Sequence, residues 1–274
     1  MDTSISMPKI TRLNRIEMVP ERPFTNPAYS RADAAILNYM RWRLHYLLSQ
    51  SNIGPEHPLA RELYIQTLSE ERGRFHRLVI LEREPLLTEV ELTLVGFFGH
   101  RRGEANPALL QDVDIELIQE FLNHPYVLSY CSLELADSNW ANMVLLRNAD
   151  GIEHWRASQK HAYAAREIAP IYYTGIRLHN GILPSGLASP HMNLLSTKYY
   201  DFEGPELWRA IREEGRPYDH TVRHDRDRPG RDGQRGHISA GAARAARARA
   251  GTVHTGARPR VEPRPVAYHP AGLL

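Results

Sequence analysis

Apolar positions recur at helical spacing in four stretches of the chain. In residues 31–50 they are Ile36, Met40, Leu44, Leu47 and Leu48, which predicts a helix with one face on a core. Ser30 is a suitable N-cap for it, and Asp33 would lie in its first turn. Further helices are predicted over about 57–72, from Asn106-Pro107 to Phe121, and from Asp150 to Ala169.

Between the helices the apolar period shortens to two, which is typical of strands. The predicted strands are 74–84, 89–100, 126–137, 139–148, 171–183 and 193–202. Over about residues 88–183 the order is strand, helix, strand, strand, helix, strand, as in a ferredoxin-like split βαβ unit. The sequence therefore predicts an α+β fold: a ferredoxin-like antiparallel sheet (βαββαβ) with extra strands, preceded by a helical pair.

Charge divides the 274-residue chain unevenly. Residues 216–274 hold 12 Arg and no Lys against 5 acidic residues, whereas residues 1–215 hold 22 Lys and Arg against 27 Asp and Glu. The last segment is rich in Ala, Gly and Pro and has too few apolar residues to form a core. We expect three parts: an irregular segment with a helical pair (1–73), a ferredoxin-like domain (74–205) and a disordered basic tail (216–274).

Several classes of protein are excluded by what the sequence lacks. A single cysteine, Cys131, allows no internal disulfide and no multi-cysteine zinc site. No run of 18 apolar residues and no secretory signal are present, so we expect a cytoplasmic protein without membrane contact. Nucleotide-binding glycine motifs, HExxH and GxSxG are absent. No RNP1-like stretch occurs and residues 1–215 are net negative, so no nucleic-acid partner is expected.

One predicted strand carries an unusual polar row. By the period of two, Tyr173, Arg177 and His179 share a face of the strand 171–183. Arg177 could fix a carboxylate or an enolate, with His179 as hydrogen-bond donor or base. The alternative is a polar network at a sheet edge or between subunits.

A second group of candidates lies just before this strand. Trp140 and Asn142 share a face of the strand 139–148, while Trp155 and His161 lie on the following helix. A pocket between sheet and helices could be lined by both sets, with His161 as a proton shuttle or a single haem ligand. Core packing of the tryptophans and a surface or capping role for His161 are the alternatives.

The stretch NWANMVLLRNADGIEHWRASQKHAYAAREIAP carries a family resemblance. A tryptophan on a strand, Trp140, precedes a helix with the pattern W-x-x-S-x-x-H at Trp155, Ser158 and His161. This resembles the second half of the dimeric α/β-barrel proteins, which include the antibiotic-biosynthesis-type monooxygenases, and it covers about residues 75–203. The resemblance implies a homodimer, because one face of a ferredoxin-like sheet needs cover. The helices predicted within 31–72 could instead cover that face within one chain.

The family resemblance, together with the candidate residues, implies one leading functional hypothesis. It is an oxygenase-like enzyme of secondary metabolism that acts on an aromatic or polyketide-like small molecule. His161, His179 and Arg177 would be catalytic, and Trp140, Asn142, Trp155 and Tyr173 would bind substrate. No metal and no cofactor are required, although a haem is compatible with the resemblance. A polyketide cyclase or isomerase on the same pocket, or a non-catalytic ligand-binding or interaction module, are the alternatives.

Overall fold

The computed structural model describes residues 10–50, 53–55, 61–106 and 108–215, which form an α+β fold. Its strands are β1 Ile10–Leu13, β2 Tyr64–Ser69, β3 Phe75–Ile80, β4 Leu92–Arg101, β5 Val127–Glu134, β6 Trp140–Leu146, β7 Tyr173–Leu187, β8 Asn193–Asp201 and β9 Trp208–Glu213. Its helices are α1 Pro27–Gln50, α2 Arg83–Thr88, α3 Ala108–Glu120, α4 Asp150–Arg156, α5 Gln159–Tyr163 and α6 Ala169–Tyr172. A π-helical turn, Ala164–Ile168, joins α5 to α6.

All nine strands belong to one open sheet with the order β1-β9-β8-β7-β4-β6-β5-β3-β2. Neighbouring strands are antiparallel except β1 and β9, which pair in parallel, so the sheet is mixed. The α+β class is thus confirmed, and the sheet is larger than the one predicted. The four strands at its centre, β7-β4-β6-β5, are the ones that alternate with helices along the chain.

Helices cover both faces of the central strands. On one face α1 packs Leu37, Met40, Leu44 and Leu48 against alternate residues of the strands, such as Leu94 and Met143. On the other face α3 and the α4–α6 segment cover the intervening residues, such as Phe97 and Val144. The period of two in each strand therefore separates two apolar layers. We call these sides the α1 face and the α3 face.

Helix α1 begins earlier than the sequence predicts. The side chain of Asn26 accepts a hydrogen bond from the backbone N–H of Ala28 at 2.9 Å, so Asn26 satisfies a free N–H at the helix start. Ser30 is not the cap: it lies inside the helix, 3.3 Å from the Tyr199 hydroxyl on β8. Asp33 is buried against the sheet and does not point to solvent from the first turn.

The helix predicted over about 57–72 is wrong, because residues 64–69 form strand β2. No helical pair therefore precedes the sheet in the described residues, where α1 is the helix between β1 and β2. The predicted boundary between residues 73 and 74 falls inside the β2–β3 hairpin. Strands β1 and β9 are additions that the sequence does not predict. The predicted tail, 216–274, lies outside the described residues.

No helix in the described part of the chain is both long and apolar enough to span a bilayer.

Candidate functional site

A cavity of about 390 Å³ opens on the α1 face, where β4 ends and β7 begins. Its walls come from the turn before α1, from α1 itself, from both strands and from the β5–β6 loop. Its lining residues are Pro23, Phe24, Tyr29, Phe98, Gly99, His100, Leu135, Asp137, Asn139, Thr174, Gly175, Arg177 and Glu203. We call it the Arg177 cavity, after the cation that the sequence analysis singles out.

Arg177 is held in place by a buried carboxylate and two aromatic rings. Its Nε and Nη2 donate to the two oxygens of Asp33 at 2.6 and 2.9 Å. The guanidinium carbon lies 5.0 Å from the ring centre of Tyr29 and 5.8 Å from that of Phe98. Such forked and stacked contacts fix a guanidinium in one orientation. The Nη1 group has no partner among the described residues, which leaves it available to the cavity.

His179 supports Arg177 from behind and does not line the cavity. It is fully buried, its Nε2 donates to Asp33 at 2.9 Å, and its Nδ1 lies 2.9 Å from the Thr197 hydroxyl. The Thr197 hydroxyl in turn donates to Glu214 at 2.6 Å. Both ring nitrogens are thus engaged, so the geometry does not suit the predicted role of His179 as a donor or base toward substrate.

Asp33 is ionised at neutral pH despite its burial. Burial by itself raises the pKa of this carboxyl. Hydrogen bonds from His179 and Arg177 together lower the pKa by more, so the pKa of Asp33 lies below its ordinary value. The carboxylate therefore keeps the Arg177 guanidinium paired and in place.

His100 is exposed and lines the Arg177 cavity beside Asn139. The Asn139 side-chain oxygen accepts from the backbone N–H of Arg101 at 2.9 Å, which fixes the orientation of the amide. The Asn139 Nδ2 then donates to Asp137 at 2.9 Å and faces the His100 Nδ1 at 3.4 Å. Because Nδ1 accepts this hydrogen bond, the neutral imidazole carries its proton on Nε2.

Tyr173 does not share a face with Arg177 and His179, contrary to the prediction. The β4–β7 register shifts between His100 and Arg101, and this irregularity turns the start of β7. The Tyr173 ring packs on the α3 face, 5.4 Å from the ring of Phe97. Gly99 makes room for it, since a Cβ there would lie 2.2 Å from a Tyr173 ring atom.

Asn142 and Trp140 also lie on the α3 face. Asn142 is fully buried and accepts a hydrogen bond from the Tyr130 hydroxyl at 3.3 Å. The same hydroxyl lies 3.5 Å from Asp114, which forms a two-point ion pair with Arg77. Asn142 is therefore part of a buried polar network under α3. Trp140 is half-buried at the start of β6, opposite Glu134.

Trp155 and His161 are also remote from Arg177, because the α4–α6 segment covers the α3 face. The Trp155 ring packs 5.0 Å from Phe121 and 5.2 Å from the ring of His161. The backbone N–H of His161 donates to the Ser158 hydroxyl, which caps α5. The structure thus places His161, Trp155, Trp140, Asn142 and Tyr173 on one side of the sheet. Arg177 and His179 lie on the other, so the single pocket expected from all seven does not form.

A pair of histidines near Trp155 makes stability depend on pH. His124 is buried, its ring centre is 4.4 Å from that of His154, and burial together with the charge of His154 lowers the pKa of His124 to about 4. Between pH 6.5 and 4 only the unfolded chain takes up this proton, so the free energy of unfolding should fall on acidification. The expected loss from this group is about 3 kcal/mol. Urea unfolding at pH 7, 5.5 and 4 measures it.

His124→Phe removes the titrating group and keeps an aromatic ring beside Trp155. The variant should lose less stability than the wild type over the same pH range. Parallel stability curves for the two proteins would show that His124 is not the group responsible.

The sequence pattern does not predict His100 and Asn139 as residues of the cavity. A signal for His100 exists: it continues the alternation of Gly96 and Phe98 along β4 onto the α1 face. Asn139 directly follows a turn in which Ser138 has a positive φ of 61°. Nothing in the local sequence indicates that Asn139 lines a cavity. No group of three or more metal-ligating side chains is present in residues 10–50, 53–55, 61–106 and 108–215.

No protein-family model, no curated protein and no solved structure matches this chain.

Proposed function

We propose that the protein binds an aromatic or polyketide-like small molecule in the Arg177 cavity and acts on it as an oxygenase. The observation that carries the proposal is a cavity with aromatic walls that is lined by one fixed cation, Arg177, and by the imidazole of His100. Cavities that bind small molecules usually combine apolar walls with a few oriented polar groups. The volume of about 390 Å³ suits a substrate of one to three rings.

The walls favour a flat, apolar ligand. Phe24, Tyr29 and Phe98 contribute ring surface, and Gly175 has no side chain to occupy the space next to Phe24. Aromatic faces stack with other π systems at little entropic cost because the side chains are already ordered. An aromatic substrate is therefore favoured over a sugar or a peptide.

The donors favour an oxygen that carries negative charge. The Arg177 Nη1 carries positive charge and donates hydrogen bonds, which suits the oxygen of an enolate or phenolate. We propose that the His100 Nε2–H, which also belongs to a lining residue, donates to the same oxygen. Two acidic residues, Asp137 and Glu203, also line the cavity, but both are exposed to water. An electron-rich enolate or phenolate can react with O₂ without a metal or flavin, which is the chemistry that the family resemblance implies.

The strand order supports the same resemblance. The central strands β7-β4-β6-β5 alternate with α3 and α4–α6 along the chain, as in a ferredoxin-like βαββαβ unit. We propose that this unit is the ancestral core, to which α1 and the strands β1–β3, β8 and β9 were added. Helix α1 covers the central strands within the chain, so that face does not need a second subunit. A homodimer stays a prediction of the resemblance alone.

A polyketide cyclase or isomerase is the second candidate, because its reaction also passes through an enolate. Neither function needs a haem. His179 is unsuited as an axial haem ligand because both its ring nitrogens are hydrogen bonded. In both cases we propose a cytoplasmic protein that binds a small molecule and binds neither nucleic acid nor a membrane.

Binding and oxygen uptake together test the proposal. With 1,3-dihydroxynaphthalene as an enolisable aromatic probe, Arg177→Gln should weaken binding by about 1.5–3 kcal/mol, the range for a hydrogen bond to a charged group. His100→Ala should also weaken binding. His100 is exposed, so we expect this variant to fold as the wild type does. Titration calorimetry measures both, and an oxygen electrode measures the reaction.

Arg166→Gln, an exposed cation in the π-helical turn on the other side of the sheet, is the matched control. It should leave binding unchanged. Oxygen uptake that depends on His100 supports an oxygenase, and probe conversion without oxygen supports the cyclase. No binding by the wild type, or equal binding by all four proteins, would place the site elsewhere.

A further inference from the structure

A second cavity, of about 330 Å³, lies away from the Arg177 cavity, and several of its lining residues are cationic. It opens where strands β8, β9 and β1 form the sheet edge on the α3 face, next to the end of α4. Its lining residues are Ile10, Arg12, Arg156, Lys198, Tyr199, Tyr200, Arg209, Ala210 and Ile211. Four of the nine are cationic and none is acidic. We call it the basic groove.

Strand register brings the cations together. Ile211 on β9 pairs with Lys198 on one side and with Arg12 on the other. Two residues earlier, Arg209 pairs with Tyr200 and with Ile10. Alternate residues of a strand share a face, and neighbouring strands lie about 4.8 Å apart, so three strands present cations to one small area.

The side chains on the other face of β1, β8 and β9 confirm that the cations face the α3 side of the sheet. The side chains of Leu13, Tyr199 and Ala210 form a separate apolar cluster on the α1 face, so Tyr199 and Ala210 border the groove only with their backbones. The basic groove and the Arg177 cavity are therefore on different faces of the sheet, and neither depends on the other.

Arg156 closes the groove from the helix side. It ends α4 and pairs with Glu153 three residues earlier, in an exposed ion pair that water screens. Glu213 follows Ile211 on the same face of β9 and is exposed. Glu153 and Glu213 are the acidic groups that act on Lys198, and both are exposed to solvent.

Lys198 shows the effect of this crowding. Its side chain is half-buried, and burial together with the charge of Arg156 lowers its pKa below the ordinary value. Neither Lys198 nor Arg12 has a carboxylate within 4.0 Å among the described residues. A partly desolvated cation without a close counterion gains more from an added anion than a fully hydrated one does.

We propose that the basic groove binds a phosphate or diphosphate group of a small molecule. Arg12, Lys198 and Arg209 would hold the oxyanion, and Arg156 would close over it. Tyr200, Ile10 and Ile211 offer an apolar wall to the organic part of the ligand. The small volume and the net negative charge of residues 1–215 favour such a ligand over a nucleic-acid strand.

Titration of the full chain with pyrophosphate at fixed ionic strength tests the proposal. Lys198→Gln and Arg12→Gln should each weaken binding about tenfold or more, since each removes a charge-assisted hydrogen bond. Arg12 is exposed, so its variant keeps the test valid even if Lys198→Gln lowers the melting temperature.

Arg31→Gln is the matched control: it removes the same charge from an exposed position on α1, on the other face of the sheet. It should bind pyrophosphate as the wild type does. An equal loss in Arg31→Gln would reduce the effect to general electrostatic attraction and overturn the proposal. Tighter binding of a single-stranded oligonucleotide than of pyrophosphate would overturn it as well, in favour of a nucleic-acid site.

Discussion

Replacing Asp33 by Asn should lower the free energy of unfolding by about 3–5 kcal/mol, the usual cost of breaking a buried ion pair. Asp33 is only 3% exposed and accepts hydrogen bonds from both Arg177 and His179. The amide removes the negative charge but leaves the guanidinium where it is, with one fewer acceptor. Urea unfolding at pH 7, followed by circular dichroism, measures the change.

Glu153→Gln provides the control for Asp33→Asn. Glu153 pairs with Arg156 on the surface of α4, with 73% of its side chain exposed, so its loss should change stability by less than about 0.5 kcal/mol. Similar effects of the two substitutions would show that Asp33 is hydrated in solution and that Arg177 is not held as described.

The second large effect is expected under α3. Arg77 and Asp114 form a two-point ion pair, with N–O distances of 2.8 and 3.0 Å, and both side chains are buried. Asp114→Leu leaves a buried guanidinium without its counterion and should cost about 3–5 kcal/mol. The same unfolding measurement applies.

The double variant Arg77→Met, Asp114→Leu separates charge from packing. Replacing a buried ion pair with apolar side chains of similar volume is often close to neutral, so the double variant should recover most of the stability lost by Asp114→Leu. A double variant less stable than the single one would mean that the wider network, which includes Tyr130 and Asn142, requires both charged groups.

These two ion pairs also show why sequence patterns misplace polar residues. Asp33 is assigned to the first turn of a helix when it is considered alone, and nothing in the local sequence indicates that Arg77 is buried. Each is buried together with an oppositely charged partner that is distant in the sequence. Arg177 is 144 residues from Asp33, and Asp114 is 37 residues from Arg77. Such pairing has no local period, so only the assembled sheet and helices reveal it.

Short strands illustrate a second limit. The sequence predicts a helix over about 57–72, whereas Tyr64–Ser69 is a strand because it pairs with β3 along its whole length. In β9, Arg212 is fully buried and donates to the backbone oxygen of Asn14 at 3.1 Å. From the sequence alone an arginine is expected to face solvent. The alternation of buried and exposed residues in β9 is therefore not recognised.

The sequence by itself determined the α+β class, α1, α3 and the strands β3 to β8, because each repeats its apolar period over enough residues to identify the buried side. It also identified Arg177 as a candidate site residue. Only the tertiary structure decided which helices cover which face of the sheet, and hence that His161 and Trp155 are separated from Arg177. A period of two or of 3.6 states which residues share a face, but the element that covers the face is chosen by long-range packing. The shift in β4–β7 register that moves Tyr173 away from Arg177 was decided at the same level, by pairing between strands.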